Sequence, residues 1–256
     1  MHLKSYAKIN LFLKVIGKRS DGFHEILTRF QTIDLFDELV IELAEEDFFS
    51  CTDSSLPLDE KNLVIKARNL FRKETGINHP VRFHLIKNIP FEGGLGGGSS
   101  NAAVTLKGLQ QLFNTSCDLH SLASQLGSDI NFFLVGGTAL GKGRGEIIEA
   151  EGDYPLTSFY LVKPPYGCST PQVFKNVKLP LESAPGPFYN DLEQPAFMVE
   201  PRLKDLKREL TNQGLIPILS GSGSSFFCFG NKAPNLPSTY FVKAVNPVSR
   251  DAYINQ

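Results

Sequence analysis

Residues 7–15 alternate strictly: Ile9, Leu11, Leu13 and Val15 fall on one side, Lys8, Asn10, Phe12 and Lys14 on the other. That is the period of a strand. Two further strands are expected at 37–43, rich in Val and Ile, and at 81–86, closed by Pro90. Between them the spacing predicts a helix capped by Asn62, with Leu63, Ala67, Leu70 and Phe71 as its apolar stripe and Gly76 as its stop. A second helix is expected to begin at Ser99 or Ser100 and to carry Ala102, Leu106, Leu109 and Phe113. A third runs from the cap Asp118 through Leu119, Leu122 and Leu126 to Gly127. Residues 136–146 read as a strand pair with tight turns.

Beyond residue 152 the texture changes. Prolines crowd the stretch 164–195, and Pro201 then opens a helix carrying Leu203, Leu206 and Leu210. Strand-like runs occupy 158–162, 225–229 and 239–245. The expectation is an α+β protein of two domains, 1–152 and 153–256, because its strands look half-buried rather than continuously apolar.

Composition narrows the class. With 26 Lys+Arg against 27 Asp+Glu and 41% hydrophobic residues, the chain is neither a disordered tail nor a basic nucleic-acid binder. No run approaches the ~18 apolar residues of a membrane span, and the N-terminus interleaves Lys with apolar residues, so it offers no signal-peptide core. The four cysteines, Cys51, Cys117, Cys168 and Cys228, form no C-x-x-C pair and read as reduced thiols. A cytoplasmic globular protein is expected, with no nucleic-acid and no membrane partner.

The stretch from Pro90 to Ala103 carries the chemistry. Glycine fills five of the six positions 93–98, which lets the backbone approach a ligand closely. The loop runs into a helix whose unpaired N–H groups and dipole attract an anion. Ser99 and Ser100 can add hydroxyl bonds to phosphate oxygens or face a metal. No Lys follows the glycines, so the loop is not a Walker A motif. A dinucleotide fingerprint begun at Gly94 would need glycine where Ser99 stands.

These residues resemble the second motif of the GHMP small-molecule kinases. Lys8-Ile9-Asn10 resembles the family's first motif, and the run from Leu219 to Ser225 its glycine-rich third. Asp21-Gly22-Phe23-His24, with residues 7–11 and 94–101, is similar to the branch whose alcohol substrate carries cytidine diphosphate. The resemblance implies a two-domain GHMP kinase-like fold, with the active site in the interdomain cleft and phosphoryl transfer from ATP to an alcohol. It implies Lys8 and Asp129 as the catalytic pair, and Asn10, Phe23, His24, Thr170 and Phe174 as substrate contacts. ATP contacts would come from Asn62, Leu63, Lys87, Pro90, Gly93, Gly94, Leu95, Gly96, Gly97, Gly98, Ser99, Ser100 and Asn101. A third glycine loop, Gly221, Ser222 and Gly223, would close over the phosphates. Mg²⁺ would arrive on ATP beside Ser99 or Ser100 rather than on dedicated protein ligands. The working unit would be a monomer or weak homodimer.

Three positions depart from the family pattern: Phe23 for tyrosine, Glu92 for a small residue and Asn131 for proline. On the residues alone, plainer roles stay open. Asp129 and Asn62 can be helix caps, Lys8 and Asn10 an exposed strand face, Phe174 a core phenylalanine, and 221–225 a glycine hairpin. Other acceptors within the family (homoserine, mevalonate or a sugar) also stay open, as does a nucleotide-binding protein without catalysis.

Overall fold

The structure is a computed structural model and describes residues 1–181 and 183–255; the proline-rich stretch includes one residue outside that set and the second expected domain two. Two long antiparallel strands, β1 (His2–Lys18) and β2 (His24–Leu43), form the spine. After β3 (Phe48–Cys51) come α1 (Leu63–Thr75), β4 (Val81–Ile86), α2 (Gly97–Leu112), α3 (Leu119–Leu126) and α4 (Ile130–Val135). The hairpin of β5 (Thr138–Lys142) and β6 (Ile147–Ala150) ends this half. Then follow β7 (Phe159–Lys163), α5 (Thr170–Lys175), β8 (Tyr189–Asn190), α6 (Glu193–Val199) and α7 (Arg202–Asn212). The chain closes with β9 (Ile216–Leu219), β10 (Phe226–Phe229), β11 (Phe241–Val245) and α8 (Arg250–Ile254).

The strands make two sheets. In the first, β1 pairs along β2 on one edge, while β4 and β5 share the opposite edge of β2: Glu38–Leu43 faces β4 and Thr28–Gln31 faces β5. The 20-residue length of β2 is what lets one strand serve two partners. The second sheet has the order β11-β7-β10-β9, all antiparallel. The β3–β4 and β1–β8 pairs are parallel, so the α+β class holds.

Three apolar cores follow from this layering. Helices α1 to α4 cover one face of the first sheet through Phe30, Ile41, Phe83, Leu106 and Phe133. Helices α5 to α7 cover the second sheet through Val162, Val173, Leu203, Leu206 and Phe226. Between the sheets, Ala7, Ile9 and Leu11 of β1 meet Phe159, Leu161, Ile218 and Phe227. Alternation on β10 is thus split between two cores, Phe226 and Cys228 toward the helices and Phe227 toward β1.

Local signals explain the helix ends. Asn62 Oδ1 accepts the Val64 N–H (3.0 Å) and Gly76 stops α1 in the left-handed conformation. Asp118 caps α3 through the Ser121 N–H (3.1 Å). Helix α2 departs from the expectation. It begins at Gly97, with Gly96 as its cap, because a backbone cradle needs no side-chain cap and the glycines themselves form the first turn. The hairpin expected at 136–146 is displaced too: its second strand lies at Ile147–Ala150 and residues 143–146 are the turn.

The C-terminus is pinned to the first half. Tyr253 is 2% exposed, its hydroxyl donates to the Phe133 carbonyl (2.5 Å), and its ring lies 5.7 Å from Tyr6. A Cβ at Gly136 would stand 2.1 Å from that ring, so the pocket is full. Tyr253→Ala should lower the free energy of unfolding by about 3–5 kcal/mol in urea titration. Tyr253→Phe, which strips only the hydroxyl, should cost about 1–3 kcal/mol.

Candidate active site

Between the halves lies a cleft of about 910 Å³, bordered by β1, the glycine loop, the start of α4, the 19–24 turn, α5 and the 221–222 loop. Its centre is the Lys8 ammonium, 3% exposed. An ammonium has three protons, and three acceptors stand round this one: Asn10 Oδ1 (2.7 Å), the Gly94 carbonyl (2.9 Å) and Asp129 Oδ2 (3.4 Å). Asn10 is oriented in turn by Thr28, whose hydroxyl accepts from Asn10 Nδ2 (2.8 Å) and donates to the Phe12 carbonyl (2.6 Å). At Lys8 and Asn10 the polar face of β1 is therefore buried rather than exposed, since the glycine loop and the 220–225 loop cover it there, while Lys14 further along is exposed.

Asp129 occupies the cap position of α4, yet its carboxylate makes no capping bond. It is about one-third exposed and turned toward Lys8. An Asp released from capping and aimed at a buried cation in a cleft is available to an incoming group.

The glycine loop is fastened on both sides. On one side the Lys8 N–H donates to the Leu95 carbonyl (2.9 Å). On the other, the Ser225 N–H donates to the Gly93 carbonyl (3.1 Å) and the Ser220 hydroxyl to that of Gly94 (3.1 Å). Gly94 has φ +72°, and a Cβ there would lie 2.2 Å from the Ser220 carbonyl oxygen. Gly96 has φ +71°, with a Cβ position 2.7 Å from the Phe133 ring. Both need glycine for space and for backbone conformation.

The loop stems are anchored by Asp37, a carboxylate with no solvent exposure. Its Oδ1 accepts the N–H groups of Asn88 and Ile89 (both 2.7 Å), and its Oδ2 accepts Lys87 Nζ (2.7 Å) and Asn101 Nδ2 (2.9 Å). This arrangement separates the expected nucleotide contacts. Leu63, Lys87, Pro90, Gly93 to Gly98 and Ser99 border the cleft. Ser100 and Asn101 do not: Ser100 is fully buried, accepting from Ser5 Oγ (2.8 Å), and Asn101 donates to Ser5 and Asp37. One residue along a helix is a rotation of about 100°, so Ser99 faces the cleft while its two successors face the sheet. Asn62 is spent on capping and on the Pro57 carbonyl (2.8 Å), outside the cleft wall.

The other end of the cleft is aromatic. His24 and Phe174 stack with centroids 5.4 Å apart. Phe23 is 52% exposed on a turn held by Asp21, whose carboxylate accepts the Phe23 N–H (3.1 Å). Burial, and to a lesser degree the nearby Lys18 ammonium, push the His24 pKa below its ordinary value. Thr170 lies 2.6 Å, hydroxyl to hydroxyl, from Ser222, which joins α5 to the third loop. Gly221 and Ser222 line the cleft, and Gly223 turns back to bond the Ser220 carbonyl (2.9 Å).

Sequence reasoning passed over Arg144. It sits in the β5–β6 turn, lines the cleft, and places its guanidinium carbon 4.8 Å from the Phe23 ring centroid. The turn's glycines were visible, but nothing local tied residue 144 to a residue 121 positions earlier. Lys18 and Lys175 add two more cations to the cleft lining. Glu92 stands at the mouth with φ +51°, and its carboxylate lies against Gly167.

Among the described residues no group of three or more His, Cys, Asp and Glu side chains converges as a metal would require. The Ser99 hydroxyl and the Asp129 carboxylate are oxygen donors, suited to a hard cation, on the cleft wall near the glycine loop.

The family described as "GHMP kinases N terminal domain" matches residues 62–137. Over 243 residues the chain is 46% identical to the 4-diphosphocytidyl-2-C-methyl-D-erythritol kinase of Protochlamydia amoebophila, covering 90% of this chain and 84% of that protein. The crystal structure of a 4-(cytidine 5'-diphospho)-2C-methyl-D-erythritol kinase superposes with a TM-score of 0.79 at 32% identity, over 96% of this chain and 99% of the other. Mevalonate kinase of Methanococcus jannaschii shares the fold alone, with a TM-score of 0.69 at 12% identity over 97% and 98% of the two chains.

The loop geometry can be tested by two neighbouring substitutions. Gly94→Ala should lower the melting temperature and abolish ATP binding, since both φ and the Ser220 carbonyl oppose it. Gly98→Ala meets only Leu63 Cδ1 at 3.5 Å, and it should melt at or above wild type, by up to about 1 kcal/mol of helix propensity.

Proposed function

The chain belongs to the 4-diphosphocytidyl-2-C-methyl-D-erythritol kinase family of GHMP kinases, and on that premise we propose how its cleft performs the reaction. The enzyme is an ATP-dependent small-molecule kinase. It phosphorylates the 2-hydroxyl of 4-diphosphocytidyl-2-C-methyl-D-erythritol, giving ADP and the 2-phosphate, in the non-mevalonate isoprenoid precursor pathway.

The observation that carries the assignment of roles is the placing of the Lys8–Asp129 pair (3.4 Å) between the glycine loop and the His24–Phe174 stack. ATP lies along residues 93–99, its phosphates on the N–H groups at the start of α2. The substrate hydroxyl is oriented by Asp129, which takes its proton as the oxygen bonds the γ-phosphorus and the bond to ADP breaks. Phosphoryl transfer passes through a loose transition state, in which positioning and charge neutralisation outweigh proton abstraction. Lys8 supplies a cation held in place by Asn10 and Gly94, so no reorganisation is needed as charge shifts. Mg²⁺, carried by the nucleotide beside Ser99, neutralises phosphate charge when bound.

The cytidine sits at the aromatic end, with His24 reading the base edge and Phe23 and Phe174 giving ring faces. Arg144, Lys18 and Lys175 supply the cations for its diphosphate. That cluster favours this acceptor over homoserine, mevalonate or a sugar, none of which offers a base to stack. The cysteines carry no disulfide, in keeping with a cytoplasmic setting.

Mass spectrometry after incubation with Mg·ATP and the cytidylylated alcohol should show one phosphoryl increment. Asp129→Asn should cut kcat by at least about 100-fold while leaving ATP binding in place. An increment that persists at wild-type rate in the mutant would remove Asp129 from the mechanism.

The depressed His24 pKa predicts a pH dependence. The folded protein disfavours the charged imidazole, so His24 takes up its proton at lower pH than an ordinary histidine does. KM for the cytidylylated substrate should therefore rise as pH falls, and at lower pH than titration of an ordinary histidine would give. In His24→Asn that rise should vanish and KM should be high throughout.

A further inference from the structure

Asn131 stands at the second position of α4, two residues beyond Asp129, and is 4% exposed. Its side chain is fully used. Nδ2 donates to Ser124 Oγ (2.7 Å) and to the Glu146 carbonyl (3.1 Å), and Oδ1 pairs with His120 Nδ1 (3.0 Å). A proline, the residue of the family pattern, could make none of these bonds.

The Glu146 contact reaches the site. Glu146 closes the β5–β6 turn from within: its carboxylate accepts the Arg144 N–H (2.5 Å) and lies 3.6 Å from Arg144 Nε. The Gly143 carbonyl of the same turn accepts the Ile26 N–H (2.8 Å), two residues past His24. A Cβ at Gly145 would lie 3.7 Å from Asp129 Oδ1. The turn therefore spans from the carboxylate at the phosphoryl-transfer point to the strand that presents His24, with Arg144 at its tip over Phe23. Asn131 ties that turn to the helix whose first residue follows Asp129.

We propose that Asn131 is a positioning residue that sets Arg144 and the acceptor end of the cleft relative to Asp129. The inference rests on reading that end of the cleft as the acceptor site. Without the amide, the Glu146 carbonyl loses its donor and the turn is held by its internal bonds, such as that from the Gly145 N–H to the Lys142 carbonyl (3.0 Å), and at its Gly143 side by the Ile26 N–H. Arg144 then samples more positions, and the acceptor loses affinity while the nucleotide, bound on the far side of Lys8, does not.

The test uses the full chain with Asn131→Ala, Asn131→Asp and Ser124→Ala. It measures KM for the cytidylylated alcohol, KM for ATP, kcat, and backbone hydrogen exchange over 143–146. Asn131→Ala should raise the acceptor KM about tenfold and speed exchange at the turn by a similar factor, roughly one buried hydrogen bond's effect. KM for ATP should stay within about twofold and kcat within about threefold. Asn131→Asp keeps the size and the His120 partner but removes the donor to Glu146. It should behave alike, and it stands in if the alanine variant fails to fold.

Ser124→Ala removes one of the two bonds from Asn131 to α3, leaves that to His120, and spares the turn, so both turn exchange and acceptor KM should match wild type. Unchanged turn exchange and acceptor KM in the folded Asn131 variants would overturn the proposal. So would equal effects from Ser124→Ala, which would mark Asn131 as general packing between α3 and α4. If wild-type enzyme does not phosphorylate the cytidylylated alcohol, the acceptor reading falls, while hydrogen exchange still decides whether Asn131 holds the turn.

Discussion

A carboxylate with no access to water must have its oxygens filled by donors, or it will not stay charged and buried. Asp37 meets that demand with four donors drawn from both stems of the glycine loop: Lys87, Asn88 and Ile89 before it and Asn101 after it. The loop itself is made of residues with the least intrinsic preference for any one conformation. Its shape is imposed from its ends and from the two surfaces between which it is clamped. Because Asp37 lies on β2, the loop is registered to the same strand that presents His24 at its start, thirteen positions earlier along the extended backbone.

The second buried charge depends on the first. With the loop registered, the Gly94 carbonyl faces Lys8, and the ammonium finds its three acceptors without solvent. Two of them, Asn10 and Gly94, are held by further bonds, while the third, Asp129, is partly exposed and makes no capping bond. The one acceptor left accessible is the carboxylate to which we assign the acceptor hydroxyl. The two ends of the cleft contrast. The end at the glycine loop is built from backbone groups and buried ions, the end at His24 and Phe174 from aromatic rings and long cations, a contrast that suits the proposed division into a rigid phosphate cradle and an adaptable recognition surface.

What could be read from the chain follows the range of the interaction. Asn62, Asp118, Gly76 and Gly127 mark helix ends because capping operates within three residues. The stripe Leu203, Leu206 and Leu210 names the buried face of α7 because helical periodicity does too. The glycine run, singled out by its composition, and Lys8, singled out by the family resemblance, both line the cleft. The start of α2 was misplaced because a serine is the usual cap, and here Gly96 takes that position. Ser100 and Asn101 were grouped with Ser99 because adjacency in sequence hides a rotation of about 100° per residue.

Alternation in β1 named a strand but not that Lys8 and Asn10 on its polar face are buried, since part of the cover comes from a loop more than 200 residues later. Nor could spacing reveal that Arg144 lies over Phe23, or that Asn131 reaches Glu146. The sequence by itself determined the class and the glycine loop, which rest on local geometry and on the types of residue present, and its resemblance to a family named the catalytic candidates. Only the tertiary structure decided which candidates share the cleft, because solvent exclusion and charge pairing depend on which distant segments arrive on the same side.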